Sequence, residues 1–257
     1  MTRWILGLAA AIALAAPAPA PAQDDVKKVI EKAVTAHGGT DALKKLKASK
    51  AKIQGELSVS GMDLTFEGTT ASEYPGKFKV SIDASVMGQK LTILQVANGN
   101  KAKTRVSLAG MDLPSGGEDE KDELKASAAL QDMSQIYPLL DEKKYSLKAE
   151  ADAEVDGKKV AVVGVTILDS KKTVNLAFDK ESGLLVKTQR QAKGPAADGS
   201  LKDVNEESFL SDYKKINGLM TPTKMTVKHD GNKFMTYTLT DVENLESLPA
   251  NTFATDD

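Results

Sequence analysis

LTILQVANGNKAKTRVSL, residues 91–108, is the stretch whose reading decides the fold. Leu91–Ala97 and Lys101–Leu108 each have the length of a strand, with Asn98-Gly99 between them. A dipeptide of this kind accommodates the positive φ angles of a tight hairpin. The same arrangement recurs along the chain. Asp156-Gly157 separates Leu147–Val155 from Val160–Leu168, and Ser182-Gly183 separates Thr173–Phe178 from Leu184–Gln189. Asp230-Gly231 separates Lys224–His229 from Phe234–Val242. Repeated hairpins predict an antiparallel meander. Upstream, Ile53, Leu57 and Val59 alternate with polar neighbours, as do Phe78, Val80 and Ile82, the period of a half-buried strand. Gly194 to Ser200 reads as a loop between late strands.

Outside the strands, the period changes. Asp24–Ala36 carries Val26, Val29, Ile30, Ala33 and Val34 at the spacing of an amphipathic helix, which Gly38-Gly39 should end. Thr40 is placed to cap a second short helix bearing Leu43 and Leu46. In mid-chain, Glu118-Asp119-Glu120 precedes Leu124, Leu130, Met133, Tyr137 and Leu140, with Pro138 late in the stretch. One or two helices are expected over about 119–140, their acidic start favoured by the helix dipole. An antiparallel sheet commonly buries one face. Helices at about 24–46 and 119–140 are the natural cover for it.

The N-terminus reads as an export signal. Met1-Thr2-Arg3 is basic, Trp4–Ala16 is uncharged and apolar, and Ala20-Pro21-Ala22 has the small-x-small form of a cleavage site. The apolar run falls short of the roughly 20 residues needed to span a bilayer. Residues 1–22 are therefore expected to be a cleavable signal peptide, and 23–257 one exported, periplasmic or secreted domain that does not span a membrane. The chain has no cysteine, hence no disulfide framework, no thiolate nucleophile and no acceptor for a lipoprotein anchor. Its 34 basic and 36 acidic residues are nearly balanced, which argues against nucleic acid as a partner. Beyond Arg3 only Arg105 and Arg190 remain, so planar bidentate recognition of phosphate or carboxylate is not expected to be its main task.

The motifs that carry chemistry are incomplete. Asp152-Ala-Glu154-Val-Asp156-Gly157 opens like a calcium loop, but Val163 occupies the position of the bidentate Glu. Ser49–Lys52 and Ser211–Lys214 have the Ser-x-x-Lys spacing without its companion motifs, in segments where residues three apart point to opposite faces. His37 and His229 lie at a helix end and a strand end, and no Gly-x-Ser-x-Gly elbow is present. His37 is suited instead to the helix C-terminal dipole. No catalytic residue, metal site or cofactor is assigned from the sequence. Met62, Met87, Met111, Met133, Met220, Met225 and Met235 run through strands, turns and the central helix. Methionine suits adaptable apolar surfaces as well as core gaps.

Three stretches carry a resemblance: His37-Gly38-Gly39-Thr40-Asp41-Ala42-Leu43, Leu176–Leu185, and Asp212–Pro222 with the strands after it. Together with the order of helices and meanders, they resemble the LolA-like superfamily, whose members include the periplasmic carrier that sorts outer-membrane lipoproteins. The resemblance implies a mainly β fold: a curved, unclosed antiparallel half-barrel with helices plugging its concave side around an apolar cavity. Leu130, Met133, Tyr137 and Leu140 would line or lid that cavity. It implies a non-catalytic carrier for lipid acyl chains or lipidated protein. The alternative is an envelope interaction or sensing protein that binds a protein partner with the same fold. Neither Arg105 nor Arg190 matches a functional arginine of the carrier.

Overall fold

The computed structural model describes residues 23–59, 62–196 and 200–255. The expected signal peptide, residues 1–22, lies outside the described residues, as does the middle of the Gly194–Ser200 loop. Helix α1 (Gln23–His37) buries the stripe Val26, Ile30, Ala33 and Val34. Its end is set by glycines: Gly38 and Gly39 have φ of 131° and 85°, and the Gly39 N–H reaches the Val34 carbonyl at 2.9 Å. Helix α2 (Thr40–Lys45) starts one residue earlier than a Thr40 cap requires. Gly39 is its N-cap, with no side-chain cap bond.

The first meander is β1 (Ala48–Val59), β2 (Met62–Glu73), β3 (Lys77–Val86), β4 (Gln89–Asn98), β5 (Lys101–Leu108) and β6 (Met111–Leu113). Helix α3 (Glu118–Met133) and a 3₁₀ turn at Tyr137–Leu140 follow, so the expected 119–140 segment changes winding just before Pro138. The second meander is β7 (Tyr145–Ala149), β8 (Ala153–Val155), β9 (Lys158–Ile167), β10 (Thr173–Asp179), β11 (Leu185–Pro195) and β12 (Leu201–Ser211). A small separate hairpin of β13 (Lys214–Ile216) and β14 (Leu219–Thr221) leads to β15 (Lys224–His229) and β16 (Asn232–Leu245). Strand β16 returns to pair with β1, joining the meanders into one sheet ordered β6-β5-β4-β3-β2-β1-β16-β15-β12-β11-β10-β9-β7. Its pairings are antiparallel, and the path does not close on itself.

The turns explain the register. Asp156-Gly157 and Asp230-Gly231 place both residues at positive φ, between 49° and 79°. In the Asn98-Gly99 and Ser182-Gly183 turns only the glycine does so. Met87-Gly88 and Ala109-Gly110 adopt the same double-positive turn, with φ of 52° at Met87 and at Ala109, although neither first residue favours it. The expected single strand Leu147–Val155 is broken. Ala149 pairs with Val163 and Ala153 with Val160, so residues 150–152 face only 161–162 and bulge.

Curvature positions the site. Leu124 and Ala128 of α3 pack against Ala97, Phe78 and Ala102 of β3–β5, while Glu123 of the same helix reaches β11. Those strands lie far apart in the sheet order, so one helix touches both only because the sheet wraps around it. Two strand glycines help the floor to bend. A Cβ on Gly55 would lie 2.1 Å from the Thr236 carbonyl oxygen, and one on Gly68 would lie 2.0 Å from that of Ser81. Among the described residues no helix is long and apolar enough to cross a membrane.

Candidate functional site

The concave face divides in two. Beneath the middle of α1 and α2 it is packed: Ile30, Ala33, Leu43, Val163, Val165, Leu176, Phe178 and Leu185 form one continuous core, and a cavity of about 360 Å³ opens only beside it, between the start of α1 (Asp25, Val26, Val29) and Ala149, Val162 and Val163. Between α3 and the β1–β3 and β15–β16 strands it is hollow. A cavity of about 400 Å³ lies there, within the range of small-ligand pockets. Its apolar wall includes Ile53, Val80, Ile82, Met235, Tyr237 and Leu239. These residues share one face because they fall in phase: Gly55 pairs with Tyr237, Ile53 with Leu239, and Gly68 with Ile82. Tyr237 donates to Met225 Sδ at 3.0 Å, and burial pushes its phenol up to about 12.

The α3 side is different. Ser127, Gln131, Ser134 and Gln135 line the cavity from the helix and the turn that ends it, beside Leu130. Facing them across the same space are Ser49 and Ser72, whose hydroxyls lie 3.0 Å apart, and Gln95. The cavity thus has an apolar floor and a polar roof.

One charged cluster sits at the junction. Arg190, only 8 % exposed, extends inward from β11. Its Nη2 lies 2.5 Å from Glu123 Oε1 of α3, and its Nε donates to Glu206 Oε1 of β12 at 2.8 Å. The Lys193 backbone N–H donates to the second Glu123 oxygen at 3.0 Å. Burial opposes the charge on Arg190, but Glu206 and Glu123 outweigh it and hold the guanidinium protonated. Burial would likewise raise Glu206, yet His229 and Arg190 hold its carboxyl below the ordinary range. His229 stacks on Phe234 at 4.0 Å, with Nε2 3.4 Å from Glu206 Oε2. At that distance the contact is long, and Nε2 has no other partner. Gly194 is required beside it, since a Cβ there would come within 2.9 Å of His229 Nδ1.

The other end of α3 is fastened as well. Asp132 accepts the Gly76 N–H at 2.9 Å from both carboxylate oxygens, tying the helix to the β2–β3 turn. Burial pushes its carboxyl up to about 6, against the pull of that N–H and of Lys144. Helix α3 is therefore strapped across the hollow by Glu123 at one end and Asp132 at the other.

The sequence-derived lining residues divide between cavity and core. Leu130 lines the cavity. Met133, 1 % exposed, belongs to the core beside α1, with Tyr137 and Leu140 packed against that same cluster. The methionines also separate. Met220, Met225 and Met235 line the cavity, Met87 and Met111 stand on hairpin tips at 91 % and 68 % exposure, and the Met62 side chain lies outside the described residues. His37 is 5 % exposed and donates from Nδ1 to the Ala33 carbonyl at 2.8 Å. Burial lowers its pKa, so the expected charge–dipole role is replaced by a neutral ring satisfying a last-turn carbonyl. Asp152 pairs with Lys180, and Asp156 serves a hairpin turn rather than a calcium loop.

The Arg190 cluster is the feature that sequence reasoning missed. Arg190 lies on the inward phase of β11 with Thr188 and Ala192, and Glu206 on that of β12 with Val204 and Ser208. Opposite charges in phase on neighbouring strands were the available signal.

By sequence, the chain matches no family model and no curated protein. Solved structures share its architecture. A DUF1329 family protein from Desulfovibrio piger superposes with a TM-score of 0.54 at 17 % identity, over 90 % of this chain and 97 % of that one. A putative outer membrane lipoprotein-sorting protein domain from Vibrio parahaemolyticus gives 0.51 at 12 %, over 90 % and 96 %. A LolA superfamily protein from Nitrosomonas europaea gives 0.49 at 14 %, over 90 % and 97 %. At such identities the likeness concerns the fold alone: this chain is a mainly β, unclosed antiparallel sheet with a few helices, the architecture of the Desulfovibrio piger and Vibrio parahaemolyticus structures.

Proposed function

We propose that the protein is an exported, non-catalytic carrier whose single domain, residues 23–257, holds acyl chains of a lipid or lipidated protein between α3 and the sheet. One observation carries this reading. The concave face under α3 is left hollow and lined by Ile53, Ile82, Met235 and Leu239, whereas beneath the middle of α1 the side chains of Ile30, Ala33, Leu176 and Leu185 meet in a packed core. Unfilled apolar volume of this size forfeits packing energy in the empty protein, which an apolar ligand restores. The signal-like segment Met1–Ala22 supports an extracytoplasmic setting, where acyl chains need shielding from water in transit.

Native mass spectrometry of protein purified from its own envelope tests the proposal. Acyl lipid should co-purify with the wild type. Met235→Trp, which fills the hollow from its floor, should abolish it while the melting temperature stays close to wild type. Retained lipid in a folded Met235→Trp protein would sink the carrier reading. A second reading rests on Met87, Met111 and Leu113, exposed on the outer strands of the first meander. These side chains suit a protein partner, and a reproducible protein complex with an empty cavity would favour that reading instead.

A further inference from the structure

The wall charges of the cavity are committed to one another. Arg190 is shared between Glu123 and Glu206, and Lys50 Nζ lies 3.0 Å from Glu243 Oε1. Arg190 thus faces two carboxylates, with His229 Nε2 a further 3.4 Å from Glu206 Oε2. An anionic head entering the cavity would lose its hydration and find the buried guanidinium already held by its own partners. That is an expensive transfer.

The remaining polar lining is uncharged. Ser127, Gln131, Ser134 and Gln135 form the roof, opposite Ser49 and Ser72. Among them Gln135 Oε1 is buried and accepts no hydrogen bond. A buried carboxamide end without a partner costs free energy until something supplies one. A hydroxyl can both donate and accept, so it satisfies that carboxamide in either orientation.

We propose that the polar part of the ligand is an uncharged head bearing hydroxyl or ester groups, as in a monoacylglycerol. On this assignment the cavity discriminates against anionic amphiphiles with the same acyl chain. The inference rests on the acyl-chain reading above and specifies the head that accompanies the chain. The apolar floor takes the chain; the roof formed by α3 and the turn after it takes the head, with the Gln135 carboxamide turning into the hollow to meet it.

Titration calorimetry on the delipidated mature protein decides the matter, using 1-monolauroylglycerol, laurate and an uncharged apolar fluorophore near neutral pH. Monolauroylglycerol should bind at least about tenfold more tightly than laurate. Gln135→Leu should narrow that gap in a protein whose melting temperature stays close to wild type. Laurate binding as tightly as monolauroylglycerol overturns the inference. If the fluorophore binds and neither amphiphile does, the head assignment falls and the cavity reading stands. If the fluorophore also fails to bind, both fall.

Discussion

Strands β10 and β3 contribute to the same concave face, yet Leu176 and Phe178 of β10 are sealed from solvent while Phe78 and Val80 of β3 stay half-buried. Both strands alternate in the same way. The difference comes from what faces them. Helix α1 presents Ile30 and Ala33 to the second meander, so the side chains interdigitate into one core. Helix α3 and its C-cap present Ser127, Gln131 and Ser134 to the hollow, while the buried apolar side chains of the helix belong to other clusters, Leu124 and Ala128 toward β3–β5 and Met133 in the α1 core. Even the convex face of the second meander is clustered, through Val155, Val160, Val162 and Ala177. The comparison teaches that an apolar sheet face does not by itself make a core; the covering helix decides between core and cavity.

The largest way to break this contrast is at the strap. Arg190→Met leaves Glu123 and Glu206 buried without their cation, and urea denaturation should show a loss of about 3–5 kcal/mol. A loss under about 1 kcal/mol would mean that α3 is held by its apolar edge alone. A like-for-like pair comes next. Val165→Ala in the packed region should cost about 2–3 kcal/mol, from two buried carbons and the void they leave. Val80→Ala in the hollow should cost about 1 kcal/mol, because the space beside it is already empty. Equal costs would show that the two regions are packed alike.

An effect on pH dependence concerns Asp132. Its folded carboxyl, pushed up to about 6, keeps a proton that the unfolded chain releases near pH 4. Between those values the folded state binds more protons than the unfolded one, so stability falls as pH rises through the window. Asp132→Asn keeps an acceptor for the Gly76 N–H and removes the titration. Its unfolding free energy should lose that slope and exceed the wild type by about 1–3 kcal/mol at neutral pH. An unchanged slope would place the titrating group elsewhere.

Much of this architecture is legible in the sequence, because hairpin signals such as Asp156-Gly157 and Asp230-Gly231 act locally. The Met87-Gly88 and Ala109-Gly110 turns are not, since tertiary pairing forces Met87 and Ala109 into a conformation they do not favour. The candidate site is only partly legible. Helical periodicity places Leu130 and Met133 on one helix but does not say which neighbour each meets; Leu130 lines the hollow while also packing on the α1 core, and Met133 is enclosed in that core. The Arg190–Glu206 pair follows from phase on neighbouring strands, but the Glu123 contact depends on the curvature that brings β11 under α3, a long-range property that no local spacing encodes.

The ladder that fails to close leaves two terminal strands, and strands of that kind template aggregation when long and bare. Strand β6 is only three residues long, with Asp112 on it 3.8 Å from Arg105. Strand β7 is five residues long, carries the Lys148–Glu150 pair and runs into the bulge before β8. Each terminus is too short or too charged to recruit another copy strand by strand. The protein can leave its barrel open, and its hollow reachable, without becoming a seed for fibres.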